Sequence, residues 1–180
     1  MLVSFQKLIR RNCIHKDEKS EFHTRIDINK LRQAFTQIHS KLKEWNSKSL
    51  EQIEEVKPGE EKEIKSLKGE EKKLANYFSR VGDNQKIKRI FFNNPIWQLR
   101  VNGKIRIIGI LEKDYIDKKF LPDNIKQNSK DLFYVLYYDF EHTSFPSSDQ
   151  EQPKEEDLVC IMNENCSRYF FLPNETEEED

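Results

Sequence analysis

The spacing of apolar residues changes period along the chain, and these changes outline its elements. In "EFHTRIDI", residues 21 to 28, the positions Phe22, Thr24 and Ile26 alternate with polar ones, which predicts a half-buried strand. The apolar spacing then becomes three or four residues, which predicts an amphipathic helix of about four turns, with Asp27 or Asn29 as its N-cap. The stripe of this helix consists of Ile28, Leu31, Phe35, Ile38, Leu42 and Trp45.

A highly charged stretch, "EQIEEVKPGEEKEIKSLKGEEKK", follows this helix. It has almost no apolar content around Pro58-Gly59, so the pattern predicts a connection between elements. A second helix is expected after it, ending near Gly82. Its apolar stripe is thinner and consists of Leu67, Leu74, Tyr77 and Phe78.

From Ile87 onward the pattern is that of strands, in "KIKRIFF", "IWQLRV", "KIRIIGIL" and "DLFYVLYYDF". The last run is apolar on both faces, as expected of a strand in the middle of a sheet. After Phe145-Pro146 the composition of "SSDQEQPKEED" predicts a linker. "LVCIM" and "RYFFL" then predict one further hairpin or a docked arm before the acidic end "NETEEED". Helices followed by strands predict an α+β fold.

The pairing register at Asn102-Gly103 decides which side chains share a sheet face. A two-residue turn would pair Leu99 with Arg106 and mix cations with apolar groups on both faces. A three-residue turn closed by Gly103 in the left-handed region would pair Arg100 with Lys104. We favour the second register because it sorts the side chains. It places Gln98, Arg100, Lys104 and Arg106 on one face and Trp97, Leu99, Ile105, Ile107 and Leu111 on the other.

Charge is distributed unevenly along the 180 residues, although the formal net charge is only −1. Residues 84 to 130 carry eleven Lys and Arg against four Asp and Glu, whereas residues 140 to 180 carry two against twelve. This division favours a middle segment that meets an anion and an acidic end that keeps the protein soluble or shields the site. Two ordinary solvated faces are the alternative.

The cysteine count and the absence of long apolar runs limit the compartments and the kinds of site that we expect. The odd count of three cysteines is typical of free thiols in a reducing compartment, and five residues separate Cys160 from Cys166, which is not the spacing of a zinc hook. No run reaches the ~20 apolar residues of a membrane span. We therefore expect a cytoplasmic protein without a metal site, whose N-terminus forms a short docked helix in preference to a transit peptide.

The segment "WQLRVNGKIRIIGIL", followed by "LFYVLYYDFEHTSFP", resembles the RelE/HigB group of toxin endoribonucleases from toxin-antitoxin pairs. The resemblance covers about residues 22 to 145. It implies an N-terminal strand and two helices packed on a twisted antiparallel β-sheet, with an acidic C-terminal extension. The corresponding division is an arm at residues 1–20, a RelE-like domain at 21–146 and an acidic linker and extension at 147–180.

The same resemblance implies a metal-independent and cofactor-free endoribonuclease that cleaves messenger RNA, on or off the ribosome, under the control of an antitoxin. It gives Arg100 and Arg106 the role of stabilising the phosphorane, and a guanidinium suits this because it binds phosphate oxygens bidentately. His142 resembles the histidine that moves protons. Lys104 and Gln98 would position the substrate. Tyr138 is either a base-stacking platform or a core aromatic residue.

Two positions depart from the family pattern. Gln98 stands where a lysine often assists catalysis, and Phe145 stands where HigB-like members tend to have a tyrosine. A catalytically inactive RNA-binding or protein-interaction module on the same fold therefore stays open, as does a protein whose acidic C-terminal part binds a partner.

Overall fold

A computed structural model describes residues 1–5, 14, 22–55, 63–78, 84–115, 130–145, 154–161, 165–167 and 169. Their elements, in chain order, are β1 (Leu2–Ser4), β2 (Ile26–Asp27), a 3₁₀ turn (Ile28–Lys30), α1 (Leu31–Ser47), α2 (Leu50–Glu54), β3 (Ile64–Ser66), α3 (Glu71–Phe78), α4 (Asn84–Phe92), β4 (Ile96–Arg100), β5 (Arg106–Tyr115), β6 (Lys130–Asp139), a second 3₁₀ turn (Glu155–Asp157) and β7 (Leu158–Val159).

The main sheet has five strands in the order β1-β6-β5-β4-β3, and only the β1–β6 pair is parallel. This confirms an α+β fold with a mostly antiparallel sheet. Strand β6 lies between two neighbours and is buried on both faces, as its continuous apolar run predicted. The edge strand β1 comes from the first residues of the chain, which the sequence had assigned to an arm or short helix.

The predicted strand at residues 21 to 28 is mostly wrong. Among its described residues, 22 to 28, only Ile26 and Asp27 form a strand, and they pair with β7 in a separate two-stranded sheet. The intervening His23 and Arg25 are as buried as Phe22 and Ile26, so the alternation does not divide inside from outside. Several segments bury these residues: His23 exchanges backbone hydrogen bonds with the Thr143 hydroxyl, Thr24 bonds with Ile14, and β7, from the predicted extension, pairs with Ile26 and Asp27.

Helix α1 confirms the predicted amphipathic helix, but the predicted cap Asp27 is the N-cap of the 3₁₀ turn that precedes it. Lys30 is the N-cap of α1 itself and makes no side-chain capping hydrogen bond. The Asp27 carboxylate accepts a hydrogen bond from the backbone N–H of Asn29 at 2.9 Å. The buried side of the helix consists of Leu31, Ala34, Ile38 and Trp45, whereas Ile28 and Phe35 stay more than two-fifths exposed. The stripe is thus rotated slightly from the one read from the sequence.

The second predicted helix is present as α3, where Leu74 and Phe78 are buried, while its expected stop at Gly82 lies outside the described residues. The predicted strand "KIKRIFF" is wrong, because this segment forms the helix α4. Ile87, Ile90 and Phe91 have the spacing of one helical stripe, and Phe91 is fully buried against the ring of Phe78 at 5.5 Å.

Helices cover both faces of the sheet. One core joins α1 and α2 to one face through residues such as Trp45, Ile53 and Ile107. A second core joins α3 and α4 to the other face through residues such as Phe78, Phe91 and Ile108. The face expected to be open is therefore mostly covered, and its polar residues are accessible only where α3 and α4 leave it uncovered.

Candidate functional site

The hairpin between β4 and β5 has a three-residue loop, Asn102-Gly103-Lys104, closed by a hydrogen bond from Val101 N to Ile105 O at 3.0 Å. Arg100 pairs with Arg106, and Gln98 pairs with Ile108. The predicted pairs Arg100–Lys104 and Gln98–Arg106 are wrong by two residues. A slip of two residues leaves every side chain on its predicted face, so Gln98, Arg100 and Arg106 do share one face of the sheet.

A side chain, not a left-handed glycine, holds the loop. The φ angle of Gly103 is not positive, contrary to the predicted turn. Instead the Asn102 Oδ1 atom accepts hydrogen bonds from the backbone N–H groups of Lys104 and Ile105, both at 2.7 Å. An asparagine side chain commonly organises a turn in this way, and here the three-residue loop lies one position further along the chain than the predicted turn closed by Gly103.

The two arginines differ in accessibility although they lie opposite each other. Arg106 is only 6% exposed, and its Nη1 atom donates to the carbonyl of Ile105 at 3.1 Å and to that of Asn102. Arg100 is half-buried, and its Nε atom donates to the same Asn102 carbonyl at 3.3 Å. Arg106 therefore supports the hairpin loop, and Arg100 is the arginine that solvent or a ligand can reach.

A tight turn follows β6 and is built around the carboxylate of Asp139. In the β5–β6 ladder the backbone of Asp139 lies opposite that of Arg106. This fully buried carboxylate accepts hydrogen bonds from Thr143 N at 2.7 Å and Ser144 N at 3.0 Å. Burial raises the pKa of Asp139, although these hydrogen bonds oppose the rise. The turn holds His142 in a fixed place relative to the sheet.

His142 has a strained backbone and an exceptional side chain. Its φ angle is 56°, in the left-handed region that residues other than glycine rarely adopt. Its Nδ1 atom is buried and has no hydrogen-bond partner among the described residues. A buried imidazole nitrogen without a partner costs stability, and such costs concentrate at sites where a ligand supplies the missing contact.

His142 lines a cavity of about 380 Å³ on the face that carries Gln98. The other lining residues are Lys65, Ser66, Leu67, Lys68, Glu70 and Phe145. Lys65 pairs with Gln98 across the β3–β4 ladder, so their side chains stand side by side. The ammonium of Lys73 lies 4.7 Å from the ring centroid of Phe145 and adds a further positive charge near the cavity.

Of the six predicted site residues, only Gln98 and His142 line this cavity. Arg100 and Arg106 share the same face of the sheet but are not among the lining residues. Tyr138 and Lys104 lie elsewhere. Tyr138 pairs with Ile107 on the opposite face of the sheet, where its ring stacks on Phe140 at 5.5 Å. Burial raises the pKa of Tyr138 to about 12. Lys104 lies in the hairpin loop, with its Nζ atom 4.0 Å from the Glu141 carboxylate, and it lines a second cavity. Neither residue reaches the His142 cavity.

Strand β3 and the residues after it form one wall of the His142 cavity, which the sequence pattern did not predict. Lys65, Ser66 and Lys68 come from the stretch predicted to be a charged connection, yet they line the cavity beside Gln98. The available signal was weak and consisted of Ile64 and Leu67, two apolar residues in a polar segment, both of which are buried.

Within the described residues, no three His, Cys, Asp or Glu side chains are grouped as ligands for a metal ion. In the same part of the chain, every helix is too short or too polar to cross a membrane. No family model, curated protein or solved structure matches this chain. The likeness to RelE/HigB toxins therefore depends on the sequence motifs alone.

Proposed function

We propose that the protein binds single-stranded RNA at the His142 cavity and cleaves it without a metal ion, as the RelE/HigB resemblance implies. The observation that carries the proposal is the imidazole of His142, with a partnerless Nδ1 atom, in a cavity rimmed by Lys65 and Lys68. Lysines attract a phosphate backbone, and a histidine is the side chain that exchanges protons near neutral pH.

The chemistry needs only groups from the RNA and from this cavity. The 2′-oxygen attacks the adjacent phosphorus, the bond from phosphorus to the 5′-oxygen breaks, and the products carry a 2′,3′-cyclic phosphate and a 5′-hydroxyl. His142 accepts the proton of the 2′-hydroxyl. The ammonium of Lys65 or Lys68, or a water molecule, returns a proton to the leaving 5′-oxygen.

The negative charge on the phosphorane must be stabilised by cations that the RNA can reach. Arg100 is two residues from Gln98 on the same face of β4, so its Cα lies about 7 Å from that of Gln98 along the strand. Arg106 was expected to make the same contact, but its burial and its bonds to the loop carbonyls favour a supporting role. Arg100, Lys65 and Lys68 are the proposed phosphate ligands.

A second candidate, RNA binding without cleavage, is favoured by the chemistry of the cavity wall. Gln98 and Phe145 line the cavity at positions where the family pattern has a lysine and a tyrosine. An amide and a phenyl ring can hydrogen-bond and stack on a base, but they cannot donate or accept a proton in the reaction.

The test is cleavage of an RNA oligonucleotide by the wild-type protein and by His142→Ala, in buffer containing EDTA. Loss of a general acid or base lowers the rate by about 10² or more, so we expect His142→Ala to be nearly inactive. His39→Ala is the matched control, because His39 is exposed on α1 and lies in neither cavity. We expect it to retain full activity.

A second substrate separates the two candidates. The same oligonucleotide with 2′-deoxyribose at the cleaved position should bind but stay intact, and its cleavage at an equal rate would rule out the proposed nucleophile. Binding without any product would leave the non-catalytic module. A plot of the logarithm of the binding constant against the logarithm of the salt concentration should then have a slope of about −2, as three phosphate contacts on a single strand predict. An antitoxin partner, and cleavage on or off the ribosome, remain part of the proposal.

A further inference from the structure

The second cavity lies on the opposite side of the sheet from His142 and is independent of the proposed nuclease site. Its volume is about 310 Å³, and it opens between the start of α1 and the loop of the β4–β5 hairpin. Glu141, the neighbour of His142 in sequence, lines this cavity together with Lys30, Gln33, Gln37, Lys104 and Phe140.

The Glu141 carboxylate is the unusual group of this cavity. Its side chain is only 4% exposed, yet the nearby ammonium groups are not in hydrogen-bonding contact with it. Lys30 Nζ lies 3.7 Å from Oε1, and Lys104 Nζ lies 4.0 Å from Oε2. A charge-assisted hydrogen bond from an ammonium is about 2.7 to 2.9 Å long, so neither lysine makes one. Burial raises the pKa of Glu141 although both lysines act to lower it.

Both lysines are free to move away from this carboxylate. Their side chains are 45% and 46% exposed, and Lys30 makes its shorter contact, 3.0 Å, with Asp27. Exposed ion pairs of this length contribute little, so a ligand that displaced them would lose little.

The remaining walls fit a flat cation on an apolar stem. Phe140, Ala34 and Ile105 line the cavity and offer apolar contact for methylene groups. Asn102 and Gln37 are joined by a hydrogen bond between their amides, which fixes the wall between the loop and α1. A guanidinium matches a carboxylate in two parallel hydrogen bonds, which a lysine ammonium does not.

We infer that the Glu141 cavity binds the guanidinium of an arginine side chain, with two N–H groups on the carboxylate and the methylene stem against the apolar wall. Lys30 and Lys104 turn outward when the arginine enters. The ligand would thus be either an arginine residue of a partner polypeptide or free arginine.

The experiment measures binding of N-acetyl-arginine amide by calorimetry, with the isosteric and uncharged N-acetyl-citrulline amide as the matched ligand. A ligand of about 15 non-hydrogen atoms in such a site should bind with a Kd of about 1 mM. Glu141→Gln keeps the shape of the side chain and should weaken binding by at least about tenfold. Glu44→Gln removes an exposed carboxylate of α1 and should leave the Kd unchanged.

Lys104→Ala provides a second readout that a loss of folding cannot imitate. Removing a competing cation should tighten the binding of the arginine derivative several-fold, whereas it would weaken the binding of an anion. The inference is overturned if the citrulline derivative binds equally well, if Lys104→Ala weakens binding, or if no heat of binding appears for either derivative. If free arginine binds as tightly as the capped derivative, the ligand is the free amino acid. If free arginine binds more weakly, the ligand is an arginine residue of a polypeptide.

Discussion

At the residue scale, burial decides what each charged or aromatic group can do. Arg100 and Arg106 have the same chemistry and adjacent positions, but only Arg100 is accessible, because the carbonyls of the hairpin loop hold Arg106. His142 is set apart by its left-handed backbone and its buried Nδ1 atom. Tyr138 has a half-buried ring on the face opposite both groups.

Tyr138→Phe tests the position of this ring through pH dependence. Because burial raises the folded-state pKa of Tyr138 to about 12, above the ordinary value of 10, the unfolded state loses its proton first. Wild-type stability should therefore be intact below pH 10 and fall as the pH rises from 10 to about 12.

Tyr138→Phe should remove up to roughly 3 kcal/mol of this loss, measured by urea unfolding between pH 9 and 12. Some loss should remain in the variant, because burial also raises the pKa of the neighbouring Tyr137. Parallel curves for the two proteins would contradict the buried position. The variant should also keep RNA binding and cleavage unchanged, since Tyr138 lies outside the His142 cavity.

At the element scale, the β5–β6 pair is the framework on which the site is built, and it contains a bulge. Ile108 pairs with Tyr137 and Gly109 with Val135, so Leu136 is an extra residue on β6. Both Leu136 and Tyr137 are fully buried in the core beneath α3 and α4. The bulge shifts the end of β6 and thereby brings Asp139 opposite Arg106.

Gly109→Ala tests the close approach at this bulge. A Cβ atom at residue 109 would lie 2.2 Å from the Tyr134 carbonyl oxygen and 2.4 Å from the Phe133 ring. Because a backbone atom is the obstacle, the strands must separate, and we expect a loss of about 2 kcal/mol or more in the free energy of unfolding.

Gly103→Ala is the matched control for this substitution. A Cβ atom at residue 103 would meet nothing within 4 Å, and its φ angle is not positive. We expect a change within about 0.5 kcal/mol, measured in the same denaturant titration. Equal losses at the two glycines would mean that the bulge does not have this geometry.

At the scale of the whole molecule, both ends of the chain complete the fold. Strand β1 extends the main sheet, and β7 covers β2 while Leu158 and Cys160 are fully buried. Arg25, also buried, donates to Cys166 Sγ at 3.7 Å and so ties the segment before α1 to the C-terminal part. Leu158, Cys160 and Cys166 therefore belong to the packed structure, and this part of the chain is more than an acidic extension.

Two truncations test this conclusion. Deleting residues 158 to 180 exposes Ile26 and removes Leu158, and full burial of such a side chain contributes about 1.5 to 3 kcal/mol. We expect the free energy of unfolding to fall by about 3 kcal/mol or more. Deleting only residues 174 to 180 removes five acidic residues and should leave the urea midpoint almost unchanged. A midpoint unaffected by the longer deletion would show that β7 does not stabilise the domain.

Local patterns predicted those elements whose period is decided within a few residues. The stripe of α1, the Asp27 cap of the 3₁₀ turn before it and the two strands of the Asn102 hairpin follow from spacing and from side chains close in sequence. The predictions for β2 and α4 were wrong for different reasons. Alternation in "EFHTRIDI" does not separate inside from outside, because the turn after β6, Ile14 and β7 all contact this segment. The segment "KIKRIFF" is too short for its apolar pattern to distinguish a strand from a helix.

The sequence by itself determined which side chains of β4 and β5 share a face, because side chains alternate along a strand and a slip of two residues preserves that alternation. Only the tertiary structure decided which of these side chains are accessible. Burial depends on segments far apart in sequence: α3 and α4 cover much of the polar face, while β3 and the turn after Asp139 bring Lys65 and His142 to Gln98. No local pattern contains those contacts, since they form only when the whole chain packs.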